Sequence, residues 1–296
     1  MDFVRDMVFE YGVAEAIAPG IRRVVARNPG AFTFHGTGTY IVGRGRVAVI
    51  DPGPDIADHV DALLTALEGE TVGDILVTHT HLDHSPASRR LRAATGATVH
   101  GMPQRVRHGP ASAVAMEEGI DHGFVPDRAL RHGDIVQGEG WTLEVVHTPG
   151  HMSNHACFAH RESVGLFSGD HVMGWSTTVV VPPDGDMAAY MASLEALLGR
   201  ADATYWPTHG PPVLRPRDHV RGLIAHRRGR ERQILDALAA GPTTIPRMVA
   251  VLYADVPREL HGAAGCSVLA HLIDLVARGL AACDGEPAGT STFRRA

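Results

Sequence analysis

Residues 78–84 read Thr-His-Thr-His-Leu-Asp-His, which puts four potential metal ligands, His79, His81, Asp83 and His84, within six residues. The run follows the apolar stretch Asp74-Ile75-Leu76-Val77, so the ligands fall on a loop where a strand ends. Such a loop can turn successive side chains towards one point, and imidazole together with carboxylate suits zinc or iron. Without a cation, that many polar rings drawn together would lose hydration for no return. Three more candidates stand in the same kind of position: His151 after the stretch at 142–150, Asp170 after 164–169, and His209 after Tyr205-Trp206-Pro207-Thr208. Taken singly, each reads as an ordinary turn-capping His or Asp. Taken with the 78–84 run, they read as one metal site assembled from four loops.

The elements that must hold these loops follow from periodicity. Buried strands are expected at 39–43, 47–53, 74–79, 98–103, 142–151 and 164–170, each running into a Gly- or Pro-marked turn. Helical spacing is found over 58–67, 85–94 and 186–198, the last with Met187, Tyr190, Met191, Leu194 and Leu197 three or four residues apart. This order fits a two-layer sheet core with outer helices. At 296 residues, 44% of them hydrophobic, the chain has material for one large domain and a smaller one. No apolar run reaches the ~20 residues of a membrane-spanning helix. The first twenty residues interleave Asp2, Asp6 and Glu10 with apolar positions, unlike a signal peptide, so a cytoplasmic location is expected. Cys157, Cys266 and Cys283 stand far apart and read as free thiols.

After His209 the composition changes. Residues 210–218 are Pro-rich and read as a linker, followed by helical patterns at 217–240, 246–253 and 258–279 and a hairpin-like stretch at 280–295. Three helices and a two-stranded ribbon make a winged helix, giving expected domains at 1–213 and 214–296. The net charge of −6 gives no general attraction to phosphate backbones. A local exception is Arg215, Arg217, Arg221, Arg227, Arg228, Arg230 and Arg232, of which Arg217, Arg221, Arg228 and Arg232 share a helical stripe. A solvated helix face is the simpler account, and a phosphate-bearing partner, coenzyme A or RNA, the sharper one. DNA binding is not expected, because 258–279 carries few groups that could reach phosphates or bases. Self-association is left open.

The segments Thr-His-Thr-His-Leu-Asp-His, Pro149-Gly150-His151, Ser168-Gly169-Asp170 and Thr208-His209-Gly210, with Ile50-Asp51-Pro52-Gly53-Pro54 near the start, resemble the ligand motifs of the metallo-β-lactamase superfamily, and the tail resembles the winged helix of its subgroup called β-lactamase-like protein two. The resemblance implies an α+β, four-layer αββα fold with a small C-terminal winged helix. It implies two metal ions, zinc first and iron or manganese as alternatives: His79, His81 and His151 on one, Asp83, His84 and His209 on the other, with Asp170 bridging. Asp83 and Asp170 are the catalytic carboxylates on this reading. Ions ~3.5–4 Å apart would hold a bridging water and lower its pKa, presenting hydroxide to an electrophilic carbon or phosphorus. The superfamily's true β-lactamases typically replace the bridging aspartate, so Asp170 argues against antibiotic hydrolysis. The expectation is a binuclear zinc hydrolase of small esters or thioesters. Its alternatives are an endoribonuclease or phosphodiesterase acting on single-stranded RNA and a mononuclear iron persulfide dioxygenase. Phe34, His35, His171, Trp175 and residues 179–187 are expected to shape the cleft, and His122 and Tyr190 are candidates to protonate the leaving atom.

Overall fold

The computed structural model describes residues 3–104 and 119–296. Two sheets form its centre. The first has seven strands in chain order, β1 (Glu15–Ala18), β2 (Ile21–Val25), β3 (Gly38–Val42), β4 (Arg46–Ile50), β5 (Thr71–Val77), β6 (Thr98–Gly101) and β7 (Arg128–Ala129). The second has five, β8 (Ile135–Gly138), β9 (Trp141–His147), β10 (Ala156–His160), β11 (Gly165–Gly169) and β12 (Thr204–Pro207). In each sheet the early strands pair antiparallel and the later ones parallel, β4 to β7 in the first and β11 with β12 in the second. Parallel neighbours need a crossover. Among the described residues, helical crossovers are α1 (Ala57–Ala66) between β4 and β5, α2 (Ala87–Thr95) between β5 and β6, and α3 (Met187–Leu198) between β11 and β12.

Side-chain alternation decides the layering. On β4, Ala48 and Ile50 join the core between the sheets, while Val47 and Val49 face Leu63, Leu67 and Leu91 of the outer helical layer. On β10, Ala156 and Phe158 point inward, and Cys157 and Ala159 pack against Met187, Tyr190 and Leu194. Strands β2, β3, β10 and β11 are buried along their whole length while the edge strands β1, β7 and β8 are partly exposed, and the architecture is the expected αββα. Several strands escape the sequence reading. β2 is Ile-Arg-Arg-Val-Val, yet Arg22 and Arg23 are buried, Arg22 bonded to Glu70 and Arg23 to Glu15 at 3.0 Å. β10, Ala-Cys-Phe-Ala-His, is short and carries little β-branched character.

The Pro-rich 210–218 segment is not a free linker. Val213 forms a bridge to Tyr205 at the edge of the second sheet, and Pro216 opens α4 (Pro216–Ala239), where a proline at a helix start costs nothing. The 24-residue helix serves two cores. Val220, Leu223 and Ile224 complete the outer layer of the second sheet; Ile234 and Leu238 join the third core. That core is the winged helix: α5 (Ile245–Leu252), a 3-10 turn Arg258–Leu260 leading into α6 (His261–Ala277), and a small sheet ordered β13 (Thr243–Thr244), β15 (Thr292–Arg295), β14 (Ala281–Cys283). Contrary to the expectation that no apolar stretch reaches that length, residues 258–277 are long and apolar enough to cross a membrane, but Val268, Leu269, Leu272 and Leu275 are spent on this core. Ending the chain after Val213 would strip three buried side chains worth about 1.5–3 kcal/mol each from the catalytic half. Thermal unfolding should therefore show that chain melting at least ~10 °C lower, or aggregating, relative to the full chain. A chain ended after Ala240 should melt closer to the full chain.

Candidate metal centre

Five loops converge because strands β4, β5, β9, β11 and β12 all end on the same edge of the two-sheet sandwich. Backbone bonds join the two sheets across the seam, Ala156 N to Thr78 O and Gly38 N to Thr208 O, each at 2.8 Å, and Asp121 N to Thr80 O at 2.7 Å braces the loop after β5 within the first sheet. The approach is close enough to dictate residue type. A Cβ on Gly150, at φ 143°, would collide with the Tyr190 backbone, and one on Gly169 would meet the His155 ring.

All seven residues singled out by spacing are brought together. His79 Nε2 and His81 Nδ1 stand 2.9 Å apart, and His151 Nε2 lies 3.1 Å from the same His81 atom. A second group sits beside it: Asp83 Oδ2 lies 3.0 Å from His209 Nε2 and 3.4 Å from His84 Nε2. Asp170 Oδ2 lies between the groups, 3.4 Å from His84 Nε2, 3.5 Å from His209 Nε2 and 3.9 Å from His151 Nε2. Tetrahedral nitrogen ligands at ~2.0–2.1 Å from zinc would be ~3.3 Å apart, close to these separations.

The far side of four of the five rings is satisfied, which settles which of their atoms faces inward. His151 Nδ1 donates to Val179 O at 2.7 Å and His209 Nδ1 to Gly36 O at 3.1 Å. His79 Nδ1 donates to Thr78 Oγ1 at 3.0 Å, and His84 Nδ1 to Asp51 Oδ2 at 2.9 Å. The near side is not satisfied. Both Asp83 oxygens, Asp170 Oδ1, His84 Nε2 and His209 Nε2 are buried without a hydrogen bond. Each such group costs about 1–3 kcal/mol if left so, and this donor set fits divalent cations.

Electrostatics divides the two groups. Burial, reinforced by neighbouring imidazoles, pushes His79 well below its ordinary pKa and His81 down to about 3; burial also lowers His151. These rings are neutral and ready to coordinate. For His84 and His209 burial pulls the same way, but the carboxylates of Asp83 and Asp170 outweigh it, raising His84 well above its usual value and His209 to about 10. Burial would raise both carboxyls, yet the facing imidazoles hold Asp83 and Asp170 below the normal carboxylate range. Positive charge is thus favoured where those five atoms meet.

Spacing misses Asp51, the residue on which the loops depend. It sits at φ 48° at the end of β4, fully buried, and accepts from Thr78 N, Thr78 Oγ1 and Thr208 Oγ1 at 2.8 Å and from His84 Nδ1. The available signal was a lone carboxylate in Ile-Asp-Pro-Gly at a strand end. Among the expected cleft residues, Phe34 stacks on Trp175 with centroids 4.8 Å apart, and His35 packs on Phe9. His171 is buried against Tyr190, away from any opening. The Tyr190 hydroxyl is buried too and donates to His171 O, and burial raises its pKa, so it is not placed to protonate a leaving group. His122 is exposed beside Asp121, with no hydrogen bond to the cluster among the described residues. The 179–187 segment is a packed wall, with Asp184 accepting from Ser153 N and Oγ at 2.7 Å. A cleft of 260 Å³ lined by Pro29, Phe32, Thr33, Pro54 and Leu82 reaches the cluster at Asp83.

Residues 33–209 match the family described as the metallo-beta-lactamase superfamily, and residues 244–290 match the beta-lactamase associated winged helix domain. An atrochrysone carboxyl ACP thioesterase from Claviceps purpurea is 32% identical over 252 residues, covering 84% of this chain and 74% of its own. A beta-lactamase domain protein from Burkholderia ambifaria superposes with a TM-score of 0.82 at 22% identity, covering 98% of this chain and 96% of that one. TTHA1623, solved in a di-iron-bound form, is 30% identical with a TM-score of 0.51, over 69% of this chain and 96% of that one. With the family match spanning more than half its length, this chain belongs to the metallo-beta-lactamase superfamily and is a metal-dependent hydrolase carrying that family's associated winged helix.

Proposed function

We propose that the chain is a binuclear metallohydrolase, with zinc the first candidate metal, that releases an acyl group from a pantetheine-linked thioester. The position of Asp170 Oδ2 carries the binuclear part: it lies within 3.9 Å of a ring nitrogen from each ligand group. On this reading His79, His81 and His151 hold one ion, Asp83, His84 and His209 the other, and Asp170 is shared. When bound, such ions supply Lewis acidity and a water acidic enough to act as nucleophile near neutral pH. Asp83 and Asp170, kept ionised by the facing imidazoles, supply the negative charge that balances the ions and an acceptor for a proton leaving that water. In the net reaction a water oxygen bonds to the thioester carbonyl carbon, the C–S bond breaks, and the thiol leaves with a proton.

Pro29, Phe32, Pro54 and Leu82 offer an acyl group an apolar wall beside Asp83. The thioester choice draws support from the relative named as an ACP thioesterase, which matches most of this chain. RNA is the weaker reading. Of the stripe on α4, Arg221 pairs with Asp218, Arg228 with Glu195, and Arg217 donates to Leu198 O, while Arg232 is exposed, so three of its four arginines already face acceptors of this chain.

Elemental analysis of purified protein should return close to two divalent ions per chain; one ion, with oxygen consumed on a persulfide, would favour dioxygenase chemistry instead. In a panel of acyl-pantetheine thioester, acyl-CoA, single-stranded RNA, bis(p-nitrophenyl) phosphate and a β-lactam, the thioesters should be cleaved fastest, and preferential RNA cleavage would sink the substrate assignment. Asp170→Ala should keep its circular dichroism spectrum while losing turnover at least ~100-fold, since the shared oxygen is gone. Near-normal rates on any panel substrate would rule out the two-ion mechanism. Asp51→Asn should weaken metal binding by about 10–100-fold while every candidate ligand residue is kept, measured by chelator competition.

A further inference from the structure

The buried face of α4 carries one guanidinium among Leu223, Ile224 and Ile234. Arg227 is 3% exposed. Taking a cation out of water is costly, and a well-packed apolar side chain of similar volume often does as well or better for stability alone. The contacts of Arg227 suggest a different task. Its Nη2 donates to the carbonyl oxygen of Thr178, and its guanidinium lies 5.3 Å from the centre of the Tyr190 ring. Thr178 is itself buried, and its Oγ1 lies 2.6 Å from Asp170 O and 3.1 Å from His171 O. The next carbonyl along, Val179 O, is the acceptor for His151 Nδ1 at 2.7 Å. Two consecutive residues therefore bear on both His151 and Asp170, and α4 grips them from behind.

We propose that Arg227 is a positioning residue for the metal centre, fixing Thr178 and Val179 so that His151 presents Nε2 and Asp170 its carboxylate. The helix that enters the winged-helix core thereby also sets metal affinity in the catalytic half. The role rests on the metal centre described above and is independent of which substrate is cleaved.

The test uses the full chain and zinc, titrated against a chromophoric chelator, with the visible spectrum of the cobalt-loaded protein as a second readout. Arg227→Met should weaken zinc binding by about tenfold and alter the cobalt spectrum, as expected for loss of an outer-sphere support. Arg227→Lys, which keeps a donor for Thr178 O, should recover most of that loss. Thr178→Val should weaken binding to a similar extent, and the double variant Thr178→Val/Arg227→Met should add little, because both act on one strip of backbone. An arginine that only packs would lower the melting temperature of the metal-free protein and leave affinity and spectrum unchanged; that result overturns the proposal. So does an Arg227→Lys variant no better than Arg227→Met. Should Arg227→Met fail to fold, Arg227→Gln, whose shorter side chain gives up the bond to Thr178 O, takes its place, and unchanged zinc affinity there overturns it equally. Failure of the wild type to bind zinc or cobalt would instead remove the metal centre itself, a separate outcome.

Discussion

A carboxylate that is fully buried must find donors for its oxygens, and Asp51 finds four from two other segments of chain. That requirement ties the end of β4 to the loops after β5 and β12. Thr78 and Thr208 come from different sheets, so satisfying one carboxylate registers the two sheets against each other at their active edge. His84 is oriented by the same carboxylate, and His79 indirectly through Thr78 Oγ1. The arrangement is stiff because every member has a fixed donor or acceptor role: Thr78 Oγ1 donates to Asp51 and must then accept from His79 Nδ1. The tautomer of His79 follows from a bond one residue removed from it, and its lone pair is aimed by that bond.

The two sheets are built alike, antiparallel at first and parallel towards the strands that carry ligands. Parallel pairing places consecutive strand ends on one side, so β4 with β5 and β11 with β12 deliver loops to a single edge. Antiparallel neighbours β9 and β10 then return the chain so that β9 also ends there and supplies His151. Loops held this way are cross-bonded, which lets buried imidazoles and carboxylates crowd together at separations that solvent-exposed loops would not keep.

The clustered residues were legible because candidate ligands announce themselves by type and by recurrence at strand ends: seven His and Asp residues, four of them within one short run. The strands carrying them were legible for the same reason that they are buried on both faces, as unbroken apolar runs. Other features left weaker traces. β2 was hidden by Arg22 and Arg23, whose charges are answered by Glu70 and Glu15, partners many residues away in the case of Glu70. Asp51 was hidden because a carboxylate before Pro-Gly reads as a turn residue, and its value comes from donors 27, 33 and 157 residues further along. The Pro-rich 210–218 stretch reads as a linker by composition, but bridging to β12 and a proline-started helix use the same residues for order. Tyr190 was readable as a core position of α3, and its hydroxyl is used there to hold a carbonyl rather than to reach solvent.

The arginines of α4 show how one helix can carry residues of one type to opposite ends. Arg217, Arg221 and Arg228 lie on the exposed face, where ion pairs such as Arg228 with Glu195 at 2.7 Å are screened and contribute little to stability. Arg227, adjacent to Arg228 in sequence, is turned by the helical repeat to the interior, where the same guanidinium has a carbonyl and an aromatic ring as partners and no bulk water to compete. An interaction in that setting is worth more when made and costs more when broken. Composition alone therefore weighs these residues equally, while burial makes one of them a structural support and the others a solvated face. The same contrast explains how a chain of net charge −6 can concentrate cation-binding groups without becoming a general cation trap. Asp83 and Asp170 act because they are withdrawn from water and faced by imidazoles, whereas Asp218 and Glu195 are exposed and answered by surface arginines.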